Sequence, residues 1–192
     1  MRLSSVSTRC VLFVAVIASV SCARQESIPV QEPLVTLEGE IRLAGADSLD
    51  QAIHLADAGG SFCTLSSPRL EYELRNLAGQ GVRVTGRLLG KTASGPEFFV
   101  ESYDVSPVDG RRPVIGFVVH RGGEMILEDA RSGATYRLGG SLAEALRAFP
   151  GCKVWVSGPT APAEKGSRDT AVLTVESYGV LASSKDATSR EP

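Results

Sequence analysis

Aromatic residues make up only 6% of this 192-residue chain, histidine occurs twice, and the one asparagine is Asn76. Lysine is scarce beside arginine. Each scarcity narrows the function. Metal sites and acid–base chemistry lean on histidine, and here only His54 and His120 are available for either. Stacking platforms for single-stranded polymers need aromatic faces, and most of the few aromatics present are required in the core. No glycine pair is followed by Lys-Ser/Thr at phosphate-loop spacing, and no serine sits in a nucleophile-elbow pattern. Beyond Pro33 no stretch approaches about 20 continuous apolar residues, so the sequence predicts no transmembrane helix there. The formal net charge of −2 exerts no long-range pull on a polyanion. Nucleic acid, bound largely by Lys and Arg displacing counterions, is not an expected partner. Catalytic residues, cofactors and metal ligands are all expected to be absent.

The opening segment has its own character. "MRLSSVSTRC VLFVAVIASV SC" carries Arg2 and Arg9 with no acid, then an apolar run from Val11 to Val20, then small residues. That is the layout of an export signal, too short to span a bilayer. Cleavage before Cys22 lowers the 20 basic residues to 18 against 22 acidic ones, a net charge near −4.

Around Cys22 the segment resembles a bacterial lipoprotein signal. Val20 and Ser21 fit that pattern, and Ser19 departs from its usual Leu. The resemblance implies lipidation of Cys22. Ala23, rather than Asp, follows it, which implies an outer-membrane anchor facing the periplasm. The alternative is ordinary cleavage after Ala23, giving a soluble periplasmic chain. Either way Cys63 and Cys152 remain, and an exported pair can form a disulfide. Two small buried hydrophobes in separate cores is the other reading.

The rest of the chain is written twice. "VESYDV" (100–105) returns as "VESYGV" (175–180), and "GVRVTGRLLG" (81–90) is answered by "GCKVWVSGPT" (151–160). Upstream, "YEL" (72–74) matches "YRL" (136–138), and "GGSFCTL" (59–65) matches "GGEMILE" (122–128). Each copy begins with an apolar run interrupted by glycine, "VTLEGEIRL" (35–43) and "PVIGFVVHR" (113–121). Five signals in one order indicate tandem duplication.

Each signal reads as a strand. Val35, Leu37, Ile41 and Leu43 alternate with polar residues, a period of two with one dry face. Gly39 and Gly116 fall inside the first strand of each copy, where glycine marks a bulge or bend. Between the third and fourth strands of the second copy, Leu142, Ala145, Leu146 and Phe149 have helical spacing. Ser141 is placed as an N-cap and Pro150-Gly151 as the stop. In the first copy "RNLAGQG" leaves room for a turn only.

This order of five strands with a glycine-bent first strand resembles the OB-fold domains of small exported bacterial proteins. The resemblance implies a mainly β chain with two tandem five-stranded OB-like barrels and a short helix between strands 3 and 4 of the second. The expected layout is a signal peptide (1–21), a tether (22–33), the first barrel (34–107), a linker (108–112), the second barrel (113–182) and a polar tail (183–192). One fused barrel or sandwich of all ten strands is the competing architecture. An insertion, Ala44 to Ala58, widens the loop after the first strand.

Candidate sites are few. Asp50 and His54 share a helix face if "DSLDQAIHLAD" is helical, with Asp57 nearby, a thin basis for a metal. His120 reads as a surface turn. Arg83 and Arg87, with Tyr72 and Phe62 supplying aromatic surface, form the candidate ligand face. They belong to a basic stretch with Arg69, Arg75 and Lys91, near Phe98 and Phe99. Such a face on an OB-fold suits an oligosaccharide or anionic envelope polymer. Val100 and Val175 are expected to point inward, with Glu101, Tyr103, Glu176 and Tyr178 on the opposite face. The expectation that follows is a non-enzymatic envelope lipoprotein, a binding or assembly module for an envelope protein or cell-envelope component. Its only tie to the membrane is the lipid.

Overall fold

The computed structural model describes residues 33–45, 51–60, 62–92, 95–162 and 170–184. The export signal, Cys22, the tether up to residue 32, Asp50 and the tail beyond Ser184 lie outside the described residues. The fold is mainly β. The first half comprises β1 (Val35–Ala44), β2 (Ala52–Ala56), β3 (Phe62–Ser66), α1 (Glu71–Asn76), β4 (Gly81–Thr92) and β5 (Gly95–Val105). Its strands close into a barrel in the order β1-β2-β3-β5-β4, and with a helix before the fourth strand this is OB-fold topology. β1 joins both sides of the barrel: its first residues pair with β4 and its last with β2, the exchange falling at Glu40. The bend is possible because Gly39 has no side chain. A Cβ there would collide with the carbonyl oxygen of Ala56.

The second half comprises β6 (Val114–Arg121), β7 (Glu124–Asp129), β8 (Thr135–Gly139), α2 (Ala143–Leu146), β9 (Lys153–Ser157), β10 (Thr160–Ala161), β11 (Ala171–Thr174) and β12 (Ser177–Ala182). These strands form a seven-stranded sheet in the order β10-β11-β8-β7-β6-β9-β12. The pairing repeats the first half. β6 lies antiparallel to β7 and β9, as β1 does to β2 and β4. β11 runs parallel to β8, as β5 does to β3, and β12 lies antiparallel to β9, as β5 does to β4. β11 and β12 therefore divide between them the role of the single strand β5. At the break, Val175 donates its N–H to Gly139 at 2.8 Å and Glu176 donates to Ser157 at 3.0 Å, so the chain passes from one neighbour to the other without losing its main-chain bonds.

Three expectations for the first half need correction. Residues 72–74 are not a strand but the middle of α1, so a helix occupies the place where only a turn was expected. Leu74 and Glu73 are both buried while Tyr72 is exposed, a pattern that three residues of sequence cannot reveal. The strand expected at 59–65 begins at Phe62 and is the third, not the second. The second strand, β2, lies inside the expected insertion: Ile53 and Leu55 are buried on either side of His54. Flanking acids Asp50 and Asp57 disguise this short alternation. In the second half the fifth strand is split, and the residue before α2 is Leu142, without a side-chain cap bond, so Ser141 does not cap the helix.

The two halves do not keep separate interiors. Trp155 and Leu181 of the second half belong to the same buried cluster as Ile41, Leu74, Val82 and Phe98 of the first. A second cluster, around Val118, Leu127, Leu146 and Val154, lies wholly within the second half. Helix α1 lies against β12, where Asn76 bonds the carbonyl oxygen of Leu181. A helix placed against the outer strand of a sheet is one of the ways proteins protect an edge. The connection between halves turns at Asp109-Gly110, both with positive φ, while Val108 and Arg111 exchange main-chain bonds of 2.9 and 3.0 Å. That is the geometry an Asp-Gly pair favours in a two-residue hairpin.

Cys63 and Cys152 are free thiols, so the disulfide considered above is not formed. Cys63 packs beside the first cluster and Cys152 within the second; each behaves as a small hydrophobe.

Candidate functional site

The residues of the candidate ligand face do not come together. Arg83 and Arg87 both lie on β4, facing away from the buried Val82 and Val84. Arg83 is bonded to Glu38 at 2.5 Å and Arg87 to Glu101 at 3.0 Å, so each guanidinium already has a carboxylate. Phe62 begins β3 beside Gly95, whereas Arg83 pairs with Asp104. At about 3.3 Å per residue, the β5 segment between those positions spans about 30 Å. Tyr72 stands exposed on α1, where Arg75 is tied to Glu71 at 2.9 Å. A single groove with converging arginines and aromatics is not what this arrangement provides.

His54 sits on a strand, so the helical spacing to Asp50 does not apply. Its Nδ1 lies 3.4 Å from the Thr64 hydroxyl, and its ring meets the Phe62 ring edge-on with centroids 6.0 Å apart. Among the described residues no group of three His, Cys, Asp or Glu side chains is placed to hold a metal ion. Nor is any described helix long and apolar enough to cross a membrane.

Tyr103 does not share the face of Glu101. The register shifts between Thr85 and Gly86 of β4, leaving Glu101 as an extra residue between Val100 and Ser102. Such a bulge resets the inside–outside alternation, and Tyr103 turns inward. Its hydroxyl donates to Glu73 Oε2 at 2.5 Å, and the Lys153 ammonium donates to the same oxygen at 2.7 Å. Burial first, then the Glu73 charge and hydrogen bond, push the Tyr103 hydroxyl far above its ordinary pKa. Glu73 is 6% exposed, so this trio is a buried polar tie between the halves. Tyr178 instead packs against the second cluster, and Glu176 pairs with Arg111 at 2.5 Å.

The sequence reading missed the most exposed apolar group. Leu34, Val35, Leu88 and Leu89 are all exposed, the last two at 52% and 57%. They lie together at one end of the first barrel, because Val35 pairs with Gly86 and Leu88 follows two residues later on β4. Beyond Gly86, β4 continues to Thr92 paired only with β5; among the described residues no strand lies on its other side. Pro33 precedes Leu34, and proline offers no N–H to prolong β1. The adjacent leucines in "RLLGKT" were the available signal: the register shifts between Leu88 and Gly90, leaving Leu89 outside the β4–β5 pairing, and both side chains meet water.

Each half also carries a shallow cleft at a corresponding place. One of about 320 Å³ lies between β2, β3 and α1, near Ile53, Ser66 and the Glu71–Arg75 pair. The other, of about 370 Å³, lies between β7, β8 and α2, near Met125, Arg137 and the Glu144–Arg147 pair. In both the helix lays an ion pair along the wall.

No family model matches the chain, and no curated protein matches it. Among solved structures it is similar to the wild-type single-stranded DNA binding protein from Thermus aquaticus, at 15% identity and a TM-score of 0.26, over 76% of this chain and 90% of that one. A deletion mutant of the same protein, delta 228-252 R190A, matches at 15% identity and a TM-score of 0.27, over 76% and 92%.

Proposed function

We propose that the protein is a non-enzymatic binding or assembly module of the cell envelope, built from two OB-like barrels and held to the outer membrane by a lipid on Cys22. In this reading the second sheet is a second copy of the barrel, with its fifth strand broken at Val175 and Glu176. Its partner is an envelope protein. The observation that carries the reading is the exposed apolar end of the first barrel, formed by Leu34, Val35, Leu88 and Leu89. Contiguous exposed apolar surface marks interaction sites in proteins that otherwise bury such side chains. An anionic polymer is the poorer fit, because Arg83 and Arg87 are both neutralised by glutamates.

Fractionation of cells producing the Cys22→Ala chain tests the address. Release from the membrane fraction is expected, and retention there overturns the anchor. Affinity purification of the lipidated protein, alone and as Leu88→Ser/Leu89→Ser, tests the surface. A co-purifying envelope protein lost from the double variant is expected; unchanged recovery refutes the apolar end as the interface.

A further inference from the structure

We infer that the cleft where the two halves meet binds a small organic anion, an acid group carried on an apolar body. The cleft has a volume of about 370 Å³. Asp104 of β5 lines it from the first half, Arg112 and Pro113 from the connection, and Ile115, Asp129 and Arg131 from the second half. All six fall within residues 95–162, which are described without interruption. Small-molecule sites of this size favour the junctions between structural units.

Charge selects the class of ligand. Arg112 lies 3.3 Å from one oxygen of Asp104 and Arg131 lies 2.6 Å from the other, so two guanidinium groups share one carboxylate. In each of the other described arginine pairs the arginine has a glutamate to itself. Asp129, the second acid of the cleft, is turned into its own turn. Its Oδ1 accepts the main-chain N–H groups of Arg131 at 2.7 Å and Ser132 at 3.2 Å, rather than a guanidinium. Both arginines make their described bonds through Nη2 alone, Arg112 to Asp104 and Arg131 to Asp104 and the main-chain oxygen of Tyr103. Their Nε and Nη1 donors are left for a further acceptor, and a carboxylate or phosphate takes such donors two at a time. Pro113 and Ile115 add apolar surface beside the arginines. A bare inorganic ion leaves that surface wet, and a neutral apolar molecule leaves the donors without an acceptor. An organic anion meets both requirements.

Trp155 is the chain's one tryptophan and pairs with Ile115 on the neighbouring strand, so its fluorescence reports on the cleft in the full-length protein. Benzoate, phenyl phosphate, inorganic phosphate and benzyl alcohol are titrated at constant ionic strength, with melting temperature read beside fluorescence. Benzoate or phenyl phosphate should saturate, and the tighter of the two identifies the acid group. That probe should bind about ten-fold or more tightly than inorganic phosphate and than benzyl alcohol, because each of those lacks one of the two contacts. Arg112→Ala should weaken it about ten-fold, the loss of one charge-assisted contact, and Arg112→Lys, which keeps the charge but not the fork, should restore only part. Arg112 is 71% exposed, so its variants should melt with the parent. Arg121→Ala, at an arginine paired with its own Glu128, should leave affinity unchanged. The inference is overturned if neither organic anion changes fluorescence or melting temperature, or if benzyl alcohol or inorganic phosphate binds equally well. Equal weakening by Arg121→Ala overturns it too. None of these measurements touches Cys22, Leu88 or Leu89, so their failure is distinct from failure of the proposed function.

Discussion

The side-chain amide of Asn76, on the helix of the first half, donates a hydrogen bond of 2.9 Å to the main-chain oxygen of Leu181 on β12 of the second. Among the described residues β12 pairs only with β9, so its outer side has no neighbouring strand there. α1 covers it, and Asn76 supplies a donor that a neighbouring strand would have supplied. The role of the chain's one asparagine is thus architectural. Asn76→Ala should cost about 1–3 kcal/mol, the range for leaving a buried acceptor without a partner. Denaturant unfolding followed by circular dichroism checks the magnitude. A loss below a few tenths of a kcal/mol would mean the Leu181 oxygen is not protected by this contact.

Glu73 joins the halves from the same helix. Its carboxylate takes hydrogen bonds from Lys153 and Tyr103 in a site from which water is largely excluded. Removing one member of a buried pair strands the other charge, so Lys153→Met should destabilise by about 3 kcal/mol. The double change Glu73→Leu/Lys153→Met should be less damaging than the single one, since no charge is then left alone. Equal or additive losses in a double-mutant cycle would show that the two side chains do not act as a pair.

The same site sets an alkaline limit on stability. Tyr103 is held protonated in the folded protein, above its ordinary pKa near 10, by burial and by the Glu73 carboxylate. Below that pH the hydroxyl is protonated whether the chain is folded or not, and its contribution is fully present. As pH rises past 10 the unfolded tyrosine ionises while the folded one cannot, and stability falls by up to about 1.4 kcal/mol per pH unit. Tyr103→Phe should be less stable at neutral pH but should lose that alkaline slope. Melting temperatures measured from pH 8 to 11 distinguish the two profiles.

What could be read in the sequence depended on the length of each signal. β1, β4 and β6 are long or strongly alternating, and their glycines stand out against the pattern, so their register was visible. β2 offers five residues between acids, and α1 six residues, fewer than two turns; neither shows a period. Matching "YEL" to "YRL" by letter then shifted the first copy by one strand, pairing a helix with a strand. Side-chain direction on β5 was hidden for another reason: Glu101 is left without a partner where β4 passes from Thr85 to Gly86, a register between two strands that β5 alone does not record. The shared core depends on which residues of the two halves meet, and no local pattern records that.

Cys152 should behave as a buried thiol and Cys63 as a half-buried one. Burial, and then the Glu97 carboxylate, push the Cys63 thiol above its ordinary pKa, which lowers the fraction present as reactive thiolate. Native protein treated with iodoacetamide near pH 8 should be alkylated slowly at both positions, and fully only in denaturant, by peptide mass mapping. Mild oxidation of the folded protein should yield no Cys63–Cys152 linked peptide. Recovery of that peptide in good yield would show that the two halves open or are packed differently.

Two glycine pairs make the duplication accessible to experiment. Gly39 and Gly116 bend the first strand of each half, and Gly86 and Gly158 sit where the fourth strand approaches the fifth. At each position an added Cβ would drive into a main-chain carbonyl: of Ala56, Glu128, Phe99 and Thr174 respectively. None of the four has positive φ, so the requirement is for space and not for a special backbone conformation. Alanine at Gly86 or Gly158 should cost about 3 kcal/mol or more, since a strand must move to admit it. Gly122 supplies the contrast. It has φ of +62° with nothing within 4 Å of its would-be Cβ, and alanine there should cost only about 1–2 kcal/mol from the left-handed backbone. Thermal and denaturant unfolding of the five alanine variants should therefore separate them into four severe losses and one mild one. If Gly86→Ala and Gly158→Ala differ sharply, the two halves no longer use the same close approach, and equivalent strands have diverged in packing while retaining their pairing.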